Sequence, residues 1–499
     1  MRSLERRLRE LASAHPERLA VLGSARSLSW EALLRAAKRL QQALWAEAVQ
    51  TVALYADNGP DWVIADLAAL FGDIRCVPLP RFFSAAQLRH ALADSGADAV
   101  LADDARLEEE LGLPLRVQDF GGTALRLLGV PRVGTVQLPE GTQKLTYTSG
   151  TTGEPKGVCL DRAAQMAVAS ALVAASGADA AERHLCVLPL STLLENIGGI
   201  YAPLQAGATL IVLPQADVGL CGAAGFDPRR LLAAIAQYQA SSLILVPQLL
   251  QGLVLACELS GQRAPACLRF VAVGGAPVAV PLLARASALG WPVVEGYGLS
   301  ESASVVALNR PGENAPGTVG RPLPHVEVRI AEDGEVLVRG ATFLGYAGEP
   351  PRAAGAWLGT GDLGSFDAHG RLQLRGRKKS LYITSYGRNI APEWVECELT
   401  RHPAIAQAAV FGEARPWNVA LLTPRPLAGG SAESLAEAVA AANAALPDYA
   451  RIRHWLTTDE PFSADNGLLT SNGRVRRDAV AAHYGPRLDS LYLDEHAIP

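Results

Sequence analysis

Residues 145–158 read LTYTSGTTGEPKGV, a run in which Thr148, Ser149, Thr151 and Thr152 interleave with Gly150, Gly153 and Gly157 around Lys156. Glycines let backbone N–H groups approach an anion closely, hydroxyls add donors, and the lysine adds charge. The segment therefore has the chemistry of a phosphate cradle. It is not a Walker A loop, which needs Gly-Lys-Ser/Thr opening a helix, whereas Lys156 stands between Pro155 and Gly157. A second basic cluster, Arg377-Lys378-Lys379, follows Gly376 and taken alone is an ordinary solvated linker. The nine His show no triad or metal-ligand spacing, and the seven Cys form no CxxC pair. An odd cysteine count without pairs speaks against a disulfide framework and a zinc site and fits a reducing, cytoplasmic setting.

These residues need a scaffold, and 499 residues require more than one core. With 49% hydrophobic and 19% charged residues, the composition is that of a globular chain. The net charge of -5 offers no basic field for nucleic acid. β-rich runs (TVALYA, CVPLP, HLCVLPL, ATLIVLP, SLILVPQLL, RFVAVGG) alternate with helical patterns such as Asp61–Phe71, which predicts βαβ units in layered, mostly parallel sheets. From about Gly317, VEVRI, EVLVRG and RLQLRG are joined by Asp333-Gly334 and His369-Gly370 turns, a hairpin-rich and barrel-like part. Beyond it a small α+β stretch is expected: strand LYIT, a helix from Pro392, strands AQAAVFG and VALLTP, and a helix from Ser431 to Leu446. The boundary is placed at 376–380, giving a large domain over 1–376 and a small one over 377–499. Segment 104–143 has weak periodicity. Leu4, Leu8 and Leu11 lie at helical spacing among arginines, a surface helix rather than a signal peptide, and no apolar run is long enough for stable membrane insertion.

TSGTTGEPKG at 148–157 matches the signature loop of the adenylate-forming enzymes, which include acyl-CoA synthetases, luciferases and peptide-synthetase adenylation domains. The resemblance extends over nearly the whole chain, with further motifs in the same order. Tyr297-Gly298-Leu299-Ser300-Glu301 resembles an element whose ring stacks on adenine, whose hydroxyl reaches phosphate and whose glutamate helps to hold Mg²⁺. Gly274-Gly275-Ala276-Pro277 resembles the strand end lining the adenine and acyl pockets. Thr360-Gly361-Asp362 matches a motif whose carboxylate accepts both ribose hydroxyls. GRKKSLYITSYGRNIAPEWVE at 376–396 resembles the hinge region: Arg377 matches a ribose-contacting arginine, Lys379 the hinge residue, and Gly387 the glycine beside the thiol tunnel. FSADNGLLTSNGRVRR at 462–477 resembles the loop that carries the adenylation lysine, and here Arg474 stands at that position, a planar fork in place of a compact ammonium. Neighbouring Arg476 and Arg477 read as solvated charges opening the last helix.

The resemblance is greatest to long-chain fatty acyl-CoA synthetases. Pro189–Asn196 aligns with their PLxHxFE element, with Thr192 for the histidine and Glu195 retained. Between His184 and Gln215 there is no Asp of the kind that holds an amino-acid ammonium, so an apolar tail fits better. The resemblance implies ATP and Mg²⁺, a fatty acid, and coenzyme A as thiol acceptor, with Thr148, Lys156, Glu301 and Arg474 catalytic. Three other readings stand beside it: transfer of the acyl group to a carrier protein's phosphopantetheine, a degenerate nucleotide- or acyl-binding protein, and adenylation of a non-fatty acid such as an aryl acid.

Overall fold

The computed structural model describes residues 4–131, 136–149, 155–221, 225–386, 388–425, 432–470 and 474–492, with Thr148, Ser149, Cys221 and Asn389 described by their backbone alone. Gly150, Thr151, Thr152, Gly153 and Gly387 lie outside these residues.

Two large mixed sheets form the N-terminal part. One has nine strands, with 183–186 paired in parallel to 209–212 and 242–245, and 270–273 paired in parallel to 242–245 and 293–297. The other has eight, with 51–55 parallel to 75–78 and 99–102 at its centre and the hairpin of 144–149 and 155–160 beside them. A single apolar cluster draws from both sheets and from helix Pro60–Phe71. That helix is buried at every position from Trp62 to Phe71, because DWVIADLAALF is apolar on all sides, which suits a helix enclosed within the fold.

Of its two acidic residues, Asp61 lies in the first turn and Asp66 is fully buried, where it meets the equally buried Lys144 at 2.6 Å. Tyr201 donates to the same carboxylate at 2.6 Å and Asn196 at 3.1 Å, while Lys144 also donates to Asn196 and Tyr201. A buried charge pair persists when its remaining lone pairs and protons are satisfied. Here the pairing ties the base of strand 144–149 to the helical segment 193–206.

The hairpin-rich part is a four-stranded antiparallel sheet, 326–330, 335–340, 358–366 and 372–377 in order. Beyond it, strands 405–411, 418–424 and 452–457 carry helices 392–400, 432–445 and 477–490 around separate apolar clusters. Strand 452–457, and helix 106–111 with strands 115–117 and 126–129 in the weakly periodic segment, go beyond the sequence reading. SLILVPQLL divides: the strand ends at Leu245 and Pro247 opens helix 247–260, since proline fits the first helical turn but has no N–H for a ladder. Among the described residues no helix is long and apolar enough to cross a membrane.

Candidate active site

The ends of these elements converge on a cleft of about 2380 Å³, lined by Lys156, Gly274–Pro277, Tyr297–Glu301, Asp362, Arg377, Lys379 and Arg474. Residues separated by more than 300 positions in sequence thus share one cavity. Thr148 and Ser149 approach it on the strand that pairs Thr148 with Lys156.

Asp362 sits in strand 358–366 in register with Arg377 of the next strand, which places Arg377 Nε 2.9 Å from its Oδ1. Its Oδ2 accepts the Tyr297 hydroxyl at 2.6 Å. Burial, and then the Asp362 charge, raise the Tyr297 pKa, so the phenol stays protonated and donating. Tyr297 ends strand 293–297, and the chain turns at Gly298, where a Cβ would lie 1.6 Å from the Ser304 carbonyl oxygen. No side chain fits there, which explains the glycine after the tyrosine. Ser300 and Glu301 follow in a single turn, 300–302.

At the other end Lys156 Nζ lies 3.1 Å from Glu349 Oε1 and 4.8 Å from the centroid of the Tyr346 ring. The Tyr346 hydroxyl donates to Glu301 Oε1 at 2.8 Å. Strand 345–346 pairs with the strand of Lys156, so Tyr346 links the lysine to the glutamate. Sequence reasoning missed Tyr346 and Glu349, which no local motif marks. The second Glu301 oxygen accepts no hydrogen bond from the described residues. One hard carboxylate oxygen beside a cation-lined cradle suits Mg²⁺ shared with substrate phosphates.

Arg474 reaches across from the C-terminal part. Its Nε and Nη2 donate to the Gly275 carbonyl at 3.0 and 2.9 Å. The loop that presents it is closed by Thr470 N–H to Arg474 O at 2.6 Å and by Arg474 N–H to Thr470 Oγ1 at 3.1 Å. Arg477 is not the solvated charge expected: it pairs with Glu396 and lies 3.5 Å from Glu393, because the last helix packs its first turn onto helix 392–400. Arg476 likewise donates to Gly467 O at 3.1 Å. Lys379 lies exposed in a turn built by the Lys378, Ser380 and Leu381 amides.

Glu295, two residues before Tyr297, is buried, and burial pushes its carboxyl up to about 7 against the opposing Gly317 N–H at 3.0 Å. Glu195 is fully buried, receives Leu188 N–H at 3.1 Å and faces His184 Nε2 at 3.3 Å. Together with Cys186 these side chains form a group within 4.8 Å that the scattered His and Cys did not disclose in sequence. The i, i+2 spacing of His184 and Cys186 on one strand, which puts both on the same face, was the available signal.

The cleft thus offers a carboxylate acceptor at one end, a lysine and a glutamate at the other, and an arginine from the C-terminal part between them, the equipment for holding a nucleotide against an acid. The sequence profile of AMP-binding enzymes matches residues 8–347, and that of the AMP-binding enzyme C-terminal domain matches 379–496. The long-chain-fatty-acid–CoA ligase FadD15 of Mycobacterium bovis is 30% identical over 93% of this chain and 91% of its own length. The 2-succinylbenzoate–CoA ligase of Bacillus subtilis is 28% identical over 85% of this chain and 89% of its own. A structure of the Bacillus subtilis o-succinylbenzoate CoA synthetase in complex with its acyl-adenylate intermediate superimposes with a TM-score of 0.77 at 26% identity, covering 95% and 97% of the two chains. The chain belongs to the AMP-binding enzyme family.

Proposed function

We propose that this chain is an acid–thiol ligase that activates a medium- or long-chain fatty acid with ATP and passes the acyl group to coenzyme A. The two curated relatives described above are CoA ligases, one for long-chain fatty acids and one for 2-succinylbenzoate, and this supports the acceptor more strongly than the acid. The observation that carries the reading is the double hydrogen bond from Arg474 to Gly275 O. It brings the cation of the small domain to the strand end beside Asp362 and Tyr297, the arrangement the first half-reaction needs.

In this reading Asp362 accepts the ribose hydroxyls with Arg377 beside it, and the Tyr297 ring lies against adenine while its hydroxyl fixes the carboxylate. Gly275 and Ala276 border the adenine, and Gly298 and Ser300 face the phosphates. The loop 148–153 and Lys156 hold the distal phosphates. Glu301 would hold Mg²⁺, which would supply neutralisation of phosphate charge. A carboxylate oxygen attacks the α-phosphorus, the bond to pyrophosphate breaks, and acyl-AMP forms. A carboxylate alone has no good leaving group; the mixed anhydride supplies AMP. The protein's share is to position and to stabilise charge.

The small domain, from about residue 377, then turns about Lys379. The thiol sulfur attacks the acyl carbon, AMP leaves, and the thiol proton passes to solvent or a base. Gly387 is assigned to the tunnel for that thiol. The site is assigned to the cytoplasm, where ATP and coenzyme A are supplied. Purified protein given ATP, Mg²⁺, a ladder of fatty acids and coenzyme A should release AMP, with release accelerated by the thiol. Pyrophosphate exchange without any gain from coenzyme A would favour a carrier-protein acceptor, and no exchange with any acid would favour a non-catalytic binder.

A further inference from the structure

The wall of the cleft on the acyl side is not uniformly apolar. Leu172, Leu194, Ile244 and Phe270 line it, and so do Glu182 and His184. Gly198 also lines it, where a Cβ would come 2.8 Å from Ile244 Cδ1, so the missing side chain keeps the channel open.

His184 and Ser242 are register partners on neighbouring parallel strands. His184 Nδ1 lies 2.9 Å from Ser242 Oγ, and that hydroxyl donates to Glu182 Oε1. A hydroxyl has one hydrogen. With it given to Glu182, Ser242 accepts from His184, and Nδ1 carries a proton. Nε2 then faces Glu195 Oε1 at 3.3 Å across one shared proton, and the second Glu195 oxygen takes Leu188 N–H. The backbone permits this approach at Gly199, whose Cβ would lie 2.2 Å from Glu195 Oε1 and 2.9 Å from His184 Nε2. Every member of the chain is satisfied save one: the second oxygen of Glu182 accepts nothing from the described residues.

The position of this group follows from the sheet. Ser242 is in register with Phe270, four residues before Gly274, so at the rise of a strand it lies about 13 Å from the strand end where Arg474 docks. That is the length of a medium acyl chain. A carboxylate oxygen left without a donor in a largely apolar channel favours a ligand that brings one.

We infer that the acid substrate carries a hydroxyl at the far end of a medium-length apolar chain, donated to Glu182. This rests on the acid-activating reading above and narrows its substrate. A terminal carboxylate would be repelled by Glu182, a terminal carbonyl has no hydrogen to give, and an ammonium would lose its hydration to the apolar walls.

Acyl-sulfamoyl adenosines built on octanoic, decanoic and dodecanoic acids, each with and without a terminal hydroxyl, test this by titration calorimetry on the full chain. At the best-fitting length the hydroxylated compound should bind about tenfold more tightly or better, as expected for a hydrogen bond to a charged group. Glu182→Leu should bring that ratio to about one. Should that variant melt early, Glu182→Gln, which preserves an acceptor for Ser242, should reduce the ratio by about threefold or more through loss of charge. Equal binding of each pair to the unaltered protein, or a preference that survives both variants, overturns the hydroxyl assignment while leaving the adenylate reading in place. Failure of every compound to bind overturns both.

Discussion

Tyr297 and Asp362, 65 positions apart, are joined by a 2.6 Å hydrogen bond from phenol to carboxylate. With Arg377 on the other oxygen, Asp362 is oriented before any nucleotide arrives. Preorganisation of this kind lowers the cost of binding.

Removing the acceptor and removing its support should therefore differ in size. Asp362→Asn leaves a neutral amide facing Tyr297 and Arg377, and ATP affinity should fall by about 1.5–3 kcal/mol, the scale of hydrogen bonds to charged groups. Tyr297→Phe keeps the ring and loses one donor, for about 0.5–1.5 kcal/mol. Titration calorimetry with ATP gives both, and equal losses would mean that the Tyr297 hydroxyl, and not the charge on Asp362, governs the contact.

Glu295 provides a pH signature. Its folded pKa, about 7, lies above the ordinary 4.5, so the folded state holds the proton more tightly than the unfolded state does. The stability this gives is complete below the ordinary value and lost as pH rises through the folded one. Glu295→Gln should match the unaltered protein near pH 4.5 and exceed it by about 3 kcal/mol near pH 8. Urea midpoints at the two pH values measure the difference, and a gap that does not grow with pH removes Glu295 as its source.

Lys144 and Asp66 should behave as one unit. Lys144→Met strands a fully buried carboxylate and should cost about 3–5 kcal/mol, whereas Asp66→Asn in the same chain should recover much of the loss. Denaturant unfolding of the single and double variants gives the comparison. A double variant as unstable as the single one would place the cost in lost packing.

The contiguous features were legible in sequence: Tyr297–Glu301, Thr360–Asp362, and the strands on either side of the Asp-Gly turn at 333–334. Each is carried by neighbours in the chain, where spacing determines geometry. What stayed hidden depends on pairing between distant strands. Tyr346 joins Lys156 to Glu301 only because a two-residue strand adds to the edge of another sheet, and nothing in ATFLGYAG marks it. Arg477 has the composition of a surface residue, and its burial is decided by where helix 477–490 docks. Strand 452–457 carries Arg453 and His454, polar residues that obscure the alternation: Arg453 stays exposed with its guanidinium over the Trp417 ring, and His454 meets the same ring edge-on.

The turn after Arg377 yields a test of the proposed hinge. Its hydrogen bonds come from the amides of Lys378, Ser380 and Leu381, so Lys379→Pro removes none of them while fixing φ near -65°. Acyl-AMP formation, followed by pyrophosphate exchange, should survive, and thioester yield should fall sharply. Equal loss of both would move the hinge elsewhere or indicate a damaged fold.

Arg474 bears the most on the proposed reaction. Its guanidinium spends two N–H groups on the Gly275 carbonyl and, among the described residues, keeps three for a ligand, since an arginine has five. In the assigned chemistry those three face the carboxylate and the α-phosphate as charge moves between them, while Lys156 serves the distal phosphates. Arg474→Ala should then lower acyl-AMP formation by about 10²–10³, comparable to deleting one preorganised donor. Thioester formation from supplied acyl-AMP should be nearly unchanged, because the proposed rotation about Lys379 would withdraw Arg474 from the site. Arg474→Lys should retain substantial activity: an ammonium can donate once to Gly275 O and still present charge, although it lacks the fork that holds the carbonyl and a phosphate at the same time. Rapid-quench measurement of acyl-AMP separates the two half-reactions. An alanine variant that adenylates at the unaltered rate would transfer the role to another cation in the cleft, with Arg377 the first to examine, and would leave the Arg474–Gly275 contact as a domain latch alone.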